Sequence, residues 1–264
     1  MTDGGDAPDL TLTSSDEPPV LVQHLNNGVS RIVLNRPNQR NAMNHEARIA
    51  LLAALKECRS IAKVIILIGN GDAFCAGMDL KERHRDASRE WLEIQEAIRR
   101  HPAIVIASVN GFALGGGTTL VNVSDLAVAA EEARFGLPEL TFGVYPAMAG
   151  PSVQLRLLPK HAAWMTLTGE QISGRTAQQW GMVNDCVPLA ELETQTLALA
   201  SRIASFDAVA LEYSKKALWE IPYHLSDWTS ALEFGVLTNV QIESRRSALL
   251  APEIIIRSDH PGLH

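Results

Sequence analysis

The chain has 264 residues, 46% of them hydrophobic and 20% charged, with a formal net charge of −7. That apolar supply excludes a disordered chain, eighteen glycines without a triplet repeat exclude collagen, and no uncharged apolar run nears a membrane span of roughly 20 residues. The acidic balance gives no general attraction for nucleic acid.

In chain order, residues 1–19 are rich in Asp, Ser, Gly and Pro, end in Pro18-Pro19, and are expected to be disordered or an extended arm. They carry no basic segment followed by an apolar one, so no signal peptide is read there. Val20-Leu21-Val22 and Val29–Leu34 read as strands joined by an Asn26-Asn27-Gly28 turn. A helix follows over 44–59, with Ala47, Ala50, Leu51, Ala54, Leu55 and Cys58 at helical spacing and Asn44 as its N-cap. The runs 64–68 (VIILI), 103–109 (AIVIASV) and 126–130 are apolar but for Ser108, as in strands buried on both faces. Glu90–Arg100 reads as an amphipathic helix, and Leu189–Ala204 and Ala208–Trp219 as the clearest later helices. Alternating strand, glycine-bearing loop and helix imply an α/β fold with mostly parallel strands. The expected organisation is a core over 20–200 and a helical region over 201–264. Cys58, Cys75 and Cys186 are sparse and lack metal-ligand spacing, so no metal is expected and a reduced, cytoplasmic setting is.

Two loops after buried strands carry the chemistry. The first, 69–79 (GNGDAFCAGMD), fails as a dinucleotide fingerprint because Phe74 holds the third glycine position. The second, 110–120 (NGFALGGGTTL), has three successive glycines opening an apolar helix. Alone, such glycines equally suit a tight turn that packs helix on sheet. Together the loops offer bare N–H groups near Ala76 and Gly116 at the C-terminal ends of parallel strands, where open α/β sheets place ligands. Two donors converging on one carbonyl oxygen form an oxyanion hole. Glu139 follows a Gly136-Leu137-Pro138 turn beside Leu140 and Phe142. Desolvation there would raise its pKa toward that of a general base, although a lone Glu is more commonly a solvated surface residue.

At these residues the chain resembles the enoyl-CoA hydratase/isomerase (crotonase) superfamily. The resemblance runs from Val20 to Trp219 through NRPNQRNAMN (35–44), GDAFCAGMDLKE (71–82), ASVNGFALGGGTTL (107–120), SDLAVAAEEARFGLPELTFGVYP (124–146), LTGEQISGRTAQQWGMVNDCVP (167–188) and YSKKAL (213–218). It implies an α/β spiral of strand-strand-helix turns, with C-terminal helices that assemble a homotrimer or a hexamer built as a dimer of trimers. It implies an acyl-CoA thioester substrate in fatty acid metabolism, with coenzyme A as part of the substrate and no separate cofactor. The N–H groups of Ala76 and Gly116 would hold the thioester oxygen, and Glu139 would move the proton. Ala42, Phe74, Ala76, Lys81, Gly115 and Gly116 fall at substrate and coenzyme A positions. Met78, Thr119 and Tyr145 fall at the pocket.

Departures from the family pattern bear on the reaction. Family hydratases carry two catalytic glutamates, and the first position here is Thr119, which does not ionise near neutral pH. Single-base chemistry suits double-bond isomerisation, with the proton taken from C2 and returned at C4. Hydration with a substitute group, and a non-catalytic acyl-CoA binder, are the alternatives. An RNA-binding role would want a lysine-rich helix, and 44–59 holds only Arg48, Lys56 and Arg59 against Glu46 and Glu57. The turn after Glu139 is altered to Pro146-Ala-Met-Ala-Gly150, and the usual C-terminal basic segment is replaced by one holding Arg245 and Arg246. Asp79 is expected to brace the first loop through backbone N–H groups, Cys75 to be a buried thiol, Lys81–Arg85 a solvated face, His84 a surface residue, and Tyr145 a pocket wall.

Overall fold

The computed structural model describes residues 17–82, 87–225 and 227–250. The chain opens with the hairpin of β1 (Val20–His24) and β2 (Val29–Leu34), followed by α1 (His45–Cys58) and β3 (Val64–Gly69). Then come β4 (Ala73–Cys75), α2 (Ala87–Arg99), β5 (Ile104–Val109), β6 (Phe112–Leu114) and α3 (Gly116–Val123). Next are β7 (Leu126–Ala130), β8 (Arg134–Gly136), a 3-10 turn (Pro138–Phe142), α4 (Gly150–Arg156) and α5 (Pro159–Thr168). β9 (Ile172–Ser173), α6 (Gly174–Gln179), β10 (Asp185–Val187), α7 (Leu189–Ala204), α8 (Ala208–His224) and α9 (Trp228–Leu250) complete it.

The hairpin forms where the turn chemistry demands it, with Asn27 (φ 62) and Gly28 (φ 75) supplying the left-handed pair that joins antiparallel strands. Asn44 caps α1 through its side chain, which accepts from the Ala47 N–H at 3.0 Å. The apolar runs lie at the centre of a six-stranded sheet ordered β1-β2-β3-β5-β7-β10, parallel apart from the hairpin. β5 is buried along its whole length, as is expected of a parallel strand covered on both faces.

The chain climbs by a repeated unit. β3, β5 and β7 each feed a second, three-residue strand (β4, β6 and β8), and these with β9 form a four-stranded sheet ordered β4-β6-β8-β9. Each unit then enters a helix or turn, giving the expected spiral of strand-strand-helix turns. The short second strands are what place the two glycine loops and Glu139 in adjacent rungs: β4 pairs with β6, and β6 with β8.

The chain divides into two compact units, residues through Ala208 and residues from Val209. The division falls after α7 rather than at residue 200, because α7 packs on β3, β5 and β7 as part of the first unit's core. In the second unit α9 exposes Trp228, Leu232, Val236, Leu237 and Val240. Of the anticipated arm, residues 1–16 lie outside the described residues, as do His84, the Arg83–Arg85 part of the charged cluster and residues 251–264. Among the described residues no helix is long and apolar enough to cross a membrane.

Candidate active site

The two glycine loops are in direct contact. A β-carbon built on Gly77 would lie 2.7 Å from Leu114 O and 3.0 Å from Gly116 N, and its φ of 92° excludes ordinary side chains in any case. The Gly77–Met78 link therefore runs against the opening of α3. The expected donor at Ala76 needs correction. Its N–H donates to Arg40 O at 2.9 Å, so it is spent within the protein. The Gly77 N–H contacts Cys75 Sγ at 3.4 Å. Among the described residues the N–H groups of Met78 and Gly116 have no partner. A parallel bridge to Met43 leaves Met78 free in this way. Met43 N–H donates to Gly77 O at 2.8 Å and Asp79 N–H to Met43 O at 3.3 Å, so the residue between them keeps its donor.

Glu139 arrives from the third rung. Leu137 is fully buried and anchors the turn, Pro138 starts its single 3-10 coil, and Gly143 (φ 76) closes it by donating to Leu140 O at 3.0 Å. A β-carbon on Gly115 would sit 2.7 Å from Glu139 Oε1, so glycine there leaves room for the carboxylate beside the triple-glycine turn. Oε2 is buried without a hydrogen-bond partner among the described residues. Burial pushes the carboxyl pKa above its ordinary value. Leu140 and Phe142, expected as its apolar walls, are instead 38% and 60% exposed, and the carboxylate occupies space that a β-carbon on Gly115 would take.

The remaining positions separate into those at this junction and those that are not. Thr119 is fully buried on α3, and its hydroxyl turns to main-chain carbonyls, Met148 O at 3.3 Å and Gly115 O at 3.5 Å. No carboxylate occupies the position behind the glycines. Tyr145 is half exposed, with its hydroxyl accepting from Gln154 Nε2 at 2.9 Å and its ring packed on Gly150. Asp79 braces the loop through Arg36 Nη1 at 3.1 Å as well as through the Lys81 N–H at 3.1 Å. Arg36 also donates to Ala42 O, so Ala42 is tied into the same corner. The Lys81 side chain is exposed, while Phe74 is buried completely in the core and offers a ligand no side-chain surface. Cys75 is buried, and desolvation raises its thiol to about 12, which makes it inert.

Sequence reading missed the ion-pair cluster behind the loops. Arg48 on α1 is 1% exposed and donates from Nε to Glu90 Oε2 on α2 at 2.7 Å and from Nη1 to Met43 O at 2.7 Å. Its one available signal was a lone arginine within the apolar stripe of α1.

Two unspent N–H donors on abutting loops, next to a desolvated carboxylate, can polarise a carbonyl oxygen and take a proton beside it. Residues 24–230 match the family model described as enoyl-CoA hydratase/isomerase. The chain is 33% identical over 206 residues to hydroxycinnamoyl-CoA hydratase-lyase of Pseudomonas fluorescens, covering 72% of this chain and 75% of that one. It is 36% identical over 195 residues to 2,3-dehydroadipyl-CoA hydratase of Escherichia coli, covering 71% and 76%. The crystal structure of an enoyl-CoA hydratase from Mycobacterium smegmatis superposes with TM-score 0.81 at 32% identity over 88% of this chain and 94% of that one. A monofunctional enoyl-CoA isomerase from the same organism gives TM-score 0.70 at 28% identity over 80% and 96%. The chain belongs to the enoyl-CoA hydratase/isomerase family.

Proposed function

We propose that the protein isomerises the double bond of an enoyl-CoA thioester, with Glu139 as its single base. The thioester oxygen would accept from the N–H groups of Met78 and Gly116. Those donors strengthen as negative charge builds on the oxygen, and so lower the barrier to removing the C2 proton. Glu139 takes that proton, the enolate delocalises over the adjacent double bond, and the same carboxyl returns a proton at C4. Water addition asks a second group to orient the water, and the position that would hold it is Thr119, whose hydroxyl is committed to main-chain carbonyls. The observation that carries this reading is the buried, unpartnered Oε2 of Glu139 beside Gly115. The acyl-CoA substrate, the homotrimeric or hexameric assembly and a cytoplasmic setting belong to the same reading.

Hydration is the second reading, favoured by the names of the two curated relatives above, a hydratase and a hydratase-lyase. Incubation with 3-hexenoyl-CoA and with crotonyl-CoA separates them. Isomerisation makes the conjugated-thioester absorbance grow at constant mass, whereas hydration bleaches crotonyl-CoA and adds the mass of water. Hydration of crotonyl-CoA faster than isomerisation of 3-hexenoyl-CoA would replace the first reading by the second.

A further inference from the structure

Behind the two donor loops, α1 and α2 are joined by a buried ion pair; Arg48 also bonds the Met43 segment that pairs with the first loop, and the residue after Glu90, Trp91, packs against the second. Arg48 is 1% exposed and Glu90 7%, with Arg48 Nε donating to Glu90 Oε2 at 2.7 Å. Arg48 Nη1 donates to Met43 O at 2.7 Å, and Met43 is the residue whose N–H and carbonyl bracket Met78 through Gly77 O and Asp79 N–H. On the other side, Glu90 precedes Trp91, which is fully buried. A β-carbon on Gly116 would lie 2.7 Å from Trp91 Cζ2, so the indole edge is the wall against which Gly116 rests. Three further contacts stiffen the junction: His45 Nδ1 is 2.8 Å from Glu90 Oε1, and Glu82 Oε2 accepts from the His45 N–H at 2.6 Å while lying 3.2 Å from Arg48 Nη1.

We infer that Arg48 and Glu90 are positioning residues that fix the separation of the Met78 and Gly116 N–H groups. The inference rests on the oxyanion reading above. The reasoning is geometric. One guanidinium bonds the segment around Met43 that brackets the first donor, and its ion-pair partner belongs to the helix turn whose Trp91 walls the second. Neither side chain needs to touch substrate. The fork of arginine suits this because its donors are fixed in one plane, whereas a lysine ammonium is a single point that does not bond Glu90 and Met43 O in the same geometry. Burial makes the pair costly to build, and replacing such pairs with apolar residues is often neutral for stability, so a purely structural role would leave little reason for it. Electrostatic stabilisation depends on donors preset to the oxyanion position, and displacements near 1 Å cost about 100-fold.

The test compares Arg48→Lys, Arg48→Met and the double variant Arg48→Met/Glu90→Met, which removes both charges and so avoids stranding one in the core. The probe is 2,4-hexadienoyl-CoA, whose absorbance moves to longer wavelength when its thioester carbonyl is polarised. The wild type is expected to shift the bound probe. The folded double variant and Arg48→Lys are expected to lose most of that shift, with kcat for 3-hexenoyl-CoA down about 10- to 100-fold and KM changed less than threefold. A folded double variant that keeps the full shift and kcat overturns the positioning role. An unshifted probe bound to wild-type protein overturns the oxyanion reading itself, and the positioning role with it.

Discussion

At Glu139, burial and the proposed role as base pull in opposite directions. A carboxylate with one oxygen buried and unpartnered is an expense to the folded state, and that same environment raises its proton affinity toward the range of a useful base. Because the folded pKa lies above the ordinary 4.5, the protonated form is the one the fold favours. The stabilisation is therefore complete below 4.5 and is lost as pH rises through the raised folded value. Glu139→Gln, which cannot ionise, is expected to melt higher than wild type at pH 7. Exchange of the C2 proton should fall about 10²- to 10⁴-fold with thioester binding nearly intact. Deuterium exchange by mass spectrometry and thermal melts check both halves, and a variant that melts lower would contradict the desolvation argument. In the wild type the rate should decline on the acid side at a pH above that of an ordinary carboxylate. Thr119→Glu is the complementary change. It places a carboxyl on α3 where the hydroxyl now bonds Met148 O, and it should raise hydration of crotonyl-CoA relative to isomerisation. Equal ratios in variant and wild type would remove the argument from the absent second acid.

At the scale of elements, local chemistry and buried runs carried different amounts of information. Asn44 illustrates the local kind: its side chain caps α1 as the sequence implies, and Asn44→Ala should cost about 1 kcal/mol, read as a lowered denaturant midpoint with unchanged slope. The strands β3, β5 and β7 were legible because burial on both faces demands a nearly continuous apolar run, broken here only by Ser108. The second sheet was not. Its strands β4, β6 and β8 are three residues long, too short for a period, and take their conformation from pairing with one another. That gap explains the error at Ala76. Without the pairing, GDAFCAGMD offers several equivalent N–H groups; only the Arg40 and Met43 contacts show that Ala76 is spent and Met78 is not. The turns that place Glu139 and Gly116 were legible from their glycines and proline, while the Arg48–Glu90 pair spans 42 residues and leaves no local trace.

At the scale of the whole molecule, α9 exposes a row of large apolar side chains. Trp228, Leu232, Val236 and Val240 recur every fourth residue and are 79%, 56%, 66% and 53% exposed, with Leu237 beside them at 58%. Val236 and Val240 lie nearly opposite Thr238 and Ile242, the buried positions of α9, being two residues out of phase with them. A contiguous apolar stripe of this kind marks an association surface. Fully burying each of these large side chains is worth about 1.5–3 kcal/mol, so covering several of them with another copy offsets a substantial cost of association. Closed symmetry then favours a ring, and the family resemblance implies three subunits or two stacked threes. Light scattering at micromolar concentration is expected to return a mass of three or six chains. Leu232→Glu/Val236→Glu sets two charges on the stripe, and both must be desolvated for the contact to form. This variant should therefore dissociate to monomers while far-UV circular dichroism keeps its helical signal. A monomeric wild type, or an assembly indifferent to both glutamates, would mean that the stripe is not the contact between subunits.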